Sequence, residues 1–400
     1  MRNLLMKRAD PMLHRMPLIL LAIIVSILLF NTAIPLSLKE TLYAVSLTIK
    51  SVILFMLPMI IFSLLLKTMV GLANRATTII TLILICLCAS NYAATFISHF
   101  VGEWVYHLDL SVIRPNDAGN LSPAFVFQLP KLVENNHALF AGMIAGMILG
   151  QAPLKRFQWI VQPLDWVTTR LLCGIAYLIP LFVTGFVIKL QYDGVMQMIL
   201  KDYLAIFAVI ISAQLSYLFL FYLVLNRFNI QGTWKSIKNI LPAAMAGFAT
   251  MSSAAVLPLT MNSVANDTIN PDLARSTVSV TTNIHLLGDC IAISIFAYAL
   301  MKSFGMPMPT VYTFAVFTCY FVIAKFSVAA VPAGGIMVML PVLENHLGFS
   351  PEMLSLMLAL YVLLDPVVTA MNVMGNGALA KLIDQLAAWR SSMVTSPTSG

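Results

Sequence analysis

Charge is scarce in this chain. Of its 400 residues only 10% are Asp, Glu, Lys or Arg, while 60% are hydrophobic. A soluble domain carries about 25% charged residues, and no soluble body of this size hides so much apolar surface from water. A soluble enzyme, a disordered chain and a secreted disulfide scaffold are therefore excluded, and the expected solvent is lipid. Acidic residues are fewer than basic ones, 16 against 23, for a net charge of +7. That excess does not imply nucleic acid, because membrane proteins gather Lys and Arg in cytoplasmic loops. The five cysteines (Cys86, Cys88, Cys173, Cys290, Cys319) mostly sit inside apolar runs without metal-type spacing. They read as apolar fillers, and no metal site is expected. His285, Asp289 and Asp365 have ligand chemistry, but H-E-x-x-H and a Ser/His hydrolase elbow are both absent, so catalysis is not expected.

What the chain does have is long apolar runs. A bilayer core needs about 20 apolar residues per helix. Six such segments come first, at 17–36, 44–71, 77–100, 136–152, 160–188 and 203–226. Two more follow at 272–302 and 350–386, alternating with interrupted runs at 240–261 and 312–343. The N-terminal basic and apolar stretch imitates a signal peptide but shows no small-residue cleavage site, so it reads as an uncleaved first helix. Basic residues mark alternate loops: Arg2, Lys7, Arg8 and Arg15; then Lys67 and Arg75; then Lys155 and Arg156; then Arg227, Lys235 and Lys238. The positive-inside rule puts the N-terminus in the cytoplasm, with six alternating passes; a cytoplasmic C-terminus and a cell inner (plasma) membrane are also expected, helical spans arguing against an outer membrane. The expected organisation is a cytoplasmic N-terminus (1–16), an N-terminal membrane half (17–228), a C-terminal core (229–386) and a flexible tail (387–400).

Interruptions in apolar segments are tolerated only where protein or water covers the freed backbone, and they point to transport sites. Four occur, all in the C-terminal half: ATMSSAAVLPLTMN (249–262), NIHLLGDC (283–290), SVAAVPAGGIM (327–337) and LLDPVVTAMNVMGNG (363–377). Small-residue pairs in these runs also suit plain helix packing. Tips such as SS and AGG expose backbone N–H groups able to hold a carboxylate.

Ionisable residues inside lipid are costly and need a partner or a function. His285 and Asp289 are four apart and in a regular helix share one face. They read either as a self-satisfied pair gluing helices or as a substrate or proton site, since such a histidine titrates near neutrality. Asp365 reads either as an N-cap at a break before Pro366 or as a ligand. Asp365, Thr369, Asn372 and Asn376 form one polar stripe, which must face protein or water.

These four runs resemble those of the dicarboxylate/amino acid:cation symporters, the glutamate-transporter family. SSAAVLPLTM resembles the tip of that family's first re-entrant hairpin, and VPAGGIM resembles the tip of the second with one residue deleted. HLLGD falls on the break of its seventh helix, and LDPVVTAMNVMGN on its eighth-helix motif. Upstream, MLPMIIFSLLLKTMVGL resembles the second helix, and PKLVENNHALFAGMIAGMILG the start of the fourth. The resemblance implies an all-α membrane protein of eight transmembrane helices with two re-entrant hairpins. It also implies an elevator mechanism in a homotrimer, with a C-terminal transport core moving against an N-terminal scaffold. It assigns Asp365 to the substrate amino group, Thr369 and Asn372 to substrate contact, and Ser252 and Ser253 to the substrate carboxylate. Val331, Pro332, Ala333 and Gly334 fall, with Gly335, on the mobile gate.

The departures matter as much. Val368 stands where the family has the arginine that pairs with an acidic substrate side chain, which favours a small neutral or apolar amino acid. Leu287 and Asn376 stand where the family has sodium-binding aspartates. His285 and Asp289 replace an Asn and a Thr of the same break. Sodium prefers hard oxygen ligands, so coupling to H⁺ through His285, Asp289 and Asn376, or exchange, is expected over Na⁺. The alternatives are a cation-coupled dicarboxylate symporter, for which Lys325 is the nearest substitute base, and a substrate-gated channel or sensor. No cofactor is expected.

Overall fold

Apolar composition resolves into helix throughout the computed structural model, which describes residues 16–73, 78–108, 121–130, 132–151, 157–328 and 333–395. The first six helices are α1 (Met16–Phe30), α2 (Leu36–Ala73), α3 (Thr78–Tyr106), α4 (Asn135–Gly150), α5 (Gln158–Tyr192) and α6 (Val195–Leu225). They match the six expected segments, most with longer ends. Beyond them lie α7 (Ile230–Thr250), α8 (Leu257–Ala265), α9 (Pro271–Thr281), α10 (Leu287–Ser303), α11 (Val311–Lys325), α12 (Gly334–Leu347) and α13 (Pro351–Thr395). Among the described residues, 5 helices (α2, α3, α5, α6 and α13) are long and apolar enough to cross a bilayer; α1, α4 and α11 are shorter apolar helices. Most of the basic loop residues behind the expected orientation (Arg2, Lys7, Arg8, Arg15, Arg75, Lys155, Arg156) lie outside the described residues.

The helices pack in two groups. In one, α4 and α5 lie along α2, with α1 on α5. Glycine permits this closeness: a Cβ on Gly185 would stand 2.1 Å from the Leu42 carbonyl oxygen, and one on Gly142 2.8 Å from that of Phe62. Small residues let backbones approach in this way in lipid, where apolar burial gives no drive. Buried hydroxyls add Ser46 Oγ to the Phe182 carbonyl at 2.7 Å and Thr168 to Ser63 at 2.8 Å.

The second group is built around α10, in which every residue but Lys302 is buried. A helix apolar on all sides belongs in such a position. It is wrapped by α3, α6, α12 and α13, with α7, α8 and α9 packed on α13, and α11 on α3 and α12. The two groups meet more sparsely, one link being the Lys50 ammonium on the Pro351 carbonyl at 2.6 Å.

Three of the four expected interruptions are real. Between α7 and α8 the chain turns at 251–256, entered through Met251 with φ of 49°. Asn270 caps α9 by accepting from the Leu273 N–H at 3.1 Å, with Pro271 at the first turn. The helix then stops, and α10 restarts at Leu287. Thr310 caps α11, which ends at Lys325, and α12 begins after Ala333, itself at φ of 58°. Val331 and Pro332 lie outside the described residues.

The fourth is not an interruption. Helix α13 runs unbroken through Pro366, Gly375 and Gly377 and on to Thr395, past the expected end at 386. Proline removes one backbone hydrogen bond, and a helix enclosed by protein can absorb that loss. The glycines are notches for close neighbours: a Cβ on Gly375 would meet Leu287 at 2.9 Å, and one on Gly377 the Tyr222 hydroxyl at 2.6 Å. Near its end, Lys381 holds Asp267 at 3.0 Å and Asn226 at 2.9 Å, anchoring the foot of the α7–α8 hairpin.

Candidate functional site

The tip at 251–256, the gap between α9 and α10, the start of α12 and the middle of α13 converge on one small cleft. Met251, Ser252 and Ser253 line it from the first tip, Thr282 and Asn283 from the gap. Tyr361, Asp365, Thr369 and Asn372 line it from α13, with Leu286, Asp289, Val328 and Gly335 also in the wall.

Asp365 lies within a helix and does not cap its own. Its Oδ2 accepts the Ala333 N–H at 2.8 Å, so it caps α12, where a carboxylate meets the positive end of the helix dipole. Among the described residues its Oδ1 accepts only the longer Thr369 hydroxyl bond at 3.3 Å, which leaves acceptor capacity toward the cleft.

Asp289 accepts three side-chain hydrogen bonds. Its Oδ1 accepts from the Tyr361 hydroxyl at 2.8 Å and the Asn372 amide at 3.1 Å, and its Oδ2 from the Lys325 ammonium at 2.7 Å. Both charges are buried, at 0% and 2% side-chain exposure. The geometry is favourable on both sides. Asp289 is in the first turn of α10 and Lys325 in the last turn of α11, each at the dipole end that suits its sign. The ammonium also lies 4.6 Å from the centre of the Phe321 ring.

The expected His285–Asp289 face does not form. The four-residue rule needs continuous helix, and α10 begins only at Leu287. His285 turns instead to α3, with Nε2 at 2.9 Å from Ser90 Oγ. Asn376 also lies off the cleft: its amide donates to the His285 carbonyl at 3.0 Å and the Asn372 carbonyl at 2.9 Å. Two further amides bond the carbonyls of this stretch and of the first turn of α10 alike. Asn91 donates to the Ile284 carbonyl at 2.8 Å, and Gln214 to that of Gly288 at 2.9 Å. Val368 is buried at 0% exposure, on α13 beside the crossing with α10: a Cβ on Gly288 would stand 2.4 Å from its carbonyl oxygen.

Of the expected substrate residues, then, Ser252, Ser253, Asp365, Thr369 and Asn372 share the cleft, and Ala333 is bonded to Asp365. Gly334 opens α12 beside them. The profile of the sodium:dicarboxylate symporter family matches residues 16–386. This chain belongs to that family. The sodium:dicarboxylate symporters are a family of membrane transporters, and the helical, apolar architecture described above agrees with membership. Relatives are distant. The chain is 24% identical over 246 residues to excitatory amino acid transporter 1 of Mus musculus, covering 59% of this chain and 43% of the mouse protein. It is 25% identical over 152 residues to a putative sodium-dependent excitatory amino acid transporter, glt-6, of Caenorhabditis elegans, covering 37% of this chain and 27% of the worm protein. It thus spans less than half the length of either.

Four contributors were not legible, in whole or part, from the sequence. Tyr361 precedes Asp365 by four and extends the polar stripe one turn back, a signal that was present. Asn91 and Gln214 are amides in apolar helices, visible as polar but not as partners of a distant unwound segment. Lys325 is legible in the sequence only as a nearby base. One substitution probes how tightly the second hairpin seats here. A Cβ on Gly335 would stand 2.2 Å from Asp289 Oδ2 and 2.9 Å from the Tyr361 hydroxyl. Neither atom is free to move, so Gly335→Ala is expected to cut uptake into proteoliposomes about tenfold or more while the protein stays folded.

Proposed function

We propose that this family member carries a small neutral α-amino acid across the inner (plasma) membrane, driven by a proton gradient or by exchange. Its helices α3 and α6–α13 form the moving transport domain and α1, α2, α4 and α5 the scaffold of a homotrimer with cytoplasmic termini. The two helix-turn-helix units are re-entrant hairpins, and the second is the gate.

The observation that carries this reading is the charge inventory of the cleft. Asp365 presents a carboxylate with spare acceptor capacity for a substrate ammonium. Ser252 and Ser253 bring hydroxyls and turn backbone for a substrate carboxylate. The one base beside the cleft among the described residues, Lys325, is neutralised by Asp289. A second carboxylate on the substrate would lack a partner, at a cost of several kcal/mol. The second reading, an acidic amino acid or dicarboxylate, is favoured by the family's description and by Lys325. It requires Lys325 to leave Asp289 for the substrate.

Proteoliposome uptake separates them. Labelled neutral amino acids are expected to accumulate under an inward proton gradient, or to enter only vesicles preloaded with amino acid. Uptake of aspartate or a dicarboxylate with no neutral amino acid transported would overturn the neutral-substrate reading. Entry that only equilibrates, without preloading or a gradient effect, would indicate a channel.

A further inference from the structure

We infer that Lys325 is a tethered cation that takes the place of a coupling sodium ion, so that the second hairpin closes without sodium. The inference deepens the proposed function and rests on its reading of α11–α12 as the gate.

The sodium:dicarboxylate description implies sodium as cargo. Sodium needs several oxygen atoms with free lone pairs converging on one point, by the same hard-cation logic that governs calcium and magnesium. Among the described residues, several oxygens that could serve already accept a hydrogen bond, which leaves them fewer lone pairs for an ion. In the unwound stretch and the first turn of α10, the carbonyls of Ile284, His285 and Gly288 accept from Asn91, Asn376 and Gln214 in turn, at 2.8, 3.0 and 2.9 Å. Each amide comes from a different helix, α3, α13 and α6. At Asp289 three donors converge, and one carries a full positive charge 2.7 Å from Oδ2. A sodium ion approaching that carboxylate would meet the ammonium at close range.

The ammonium sits where it can act on the gate. Lys325 is the last residue of α11, the first arm of the second hairpin, and its partner is on α10. Gly335, in the second arm, lies against the same carboxylate. Both arms therefore pack against one buried charge centre, and the first is bonded to it. A dissociable ion would make that closure depend on salt; a lysine makes it constant.

The test uses the full chain in lipid nanodiscs, without amino acid, with NaCl exchanged for choline chloride at constant ionic strength. The wild-type melting midpoint is expected to be the same in both salts. Lys325→Ser leaves Asp289 without its cation and opens space beside it. Its midpoint is expected to fall in choline and to recover with NaCl in a saturable way, as for any ligand that binds only the folded state. Saturable, sodium-selective stabilisation of the wild type would overturn the inference, and so would a folded Lys325→Ser protein indifferent to sodium. If Lys325→Ser does not fold, the neutral pair Lys325→Met/Asp289→Asn takes its place beside the wild type, and both are expected to ignore sodium; a sodium requirement in either would overturn it. Because no substrate is present, an error in the proposed substrate leaves these outcomes unchanged and shows only in uptake.

Discussion

Asp365→Asn is expected to lower the apparent affinity for the transported amino acid by about 10²- to 10³-fold, with little loss of thermal stability. The residue does two jobs. It accepts the Ala333 N–H at the start of α12, and it offers the remaining oxygen to the cleft. An asparagine keeps an acceptor oxygen for Ala333, so the hairpin can still seat. It loses the charge that would pair with the substrate ammonium. Removing one partner of a buried, hydrogen-bonded charge pair costs about 2–5 kcal/mol, and about 1.4 kcal/mol is tenfold in affinity. Uptake kinetics and the melting midpoint, measured on the same preparation, separate the two jobs. An unchanged KM would remove Asp365 from the substrate site, and a collapsed midpoint would make it a cap alone.

The second large effect concerns stability. Either Lys325→Met or Asp289→Asn alone is expected to destabilise the protein by about 3–5 kcal/mol, because each strands a buried charge. The double variant is expected to recover most of that loss, since replacing both members of a buried pair by neutral groups is often close to neutral. Tyr361 and Asn372 keep a neutral side chain to bond at position 289, which limits the residual cost. Denaturation of the four proteins gives the coupling directly. Additive losses would mean that the two charges do not depend on each other.

Helix placement was legible because an apolar run of membrane length has few other fates, and α1–α6 fall where the runs do. The tips at 251–256 and before α12 were legible for a related reason, since serine, proline and glycine clusters interrupt apolar runs for little else. The site was legible where its residues share one helix, as Asp365, Thr369 and Asn372 do. Contacts between helices were not. Asp289 meets Lys325, 36 positions away, because the start of α10 lies beside the end of α11, and no periodicity encodes that. The four-residue rule misdirected His285 because its premise, continuous helix, fails in the gap before α10. Pro366 misdirected the boundary in the opposite sense. A proline is a strong stop in water, where nothing covers the freed carbonyl, and a weak one inside a helix whose neighbours on α13 are almost all buried.

The Asp289–Lys325 pair also has an electrical consequence. Both charges belong to the same group of packed helices, so any movement of that group carries them together. Moving one elementary charge through the membrane field involves about 2.3 kcal/mol per 100 mV, whereas a cation and an anion moved as a unit involve almost none. A sodium ion taken up on one side and released on the other would draw on the membrane voltage at every turnover. On the reading proposed above, a lysine that never leaves draws nothing, and the force that drives net transport would come from elsewhere than that cation.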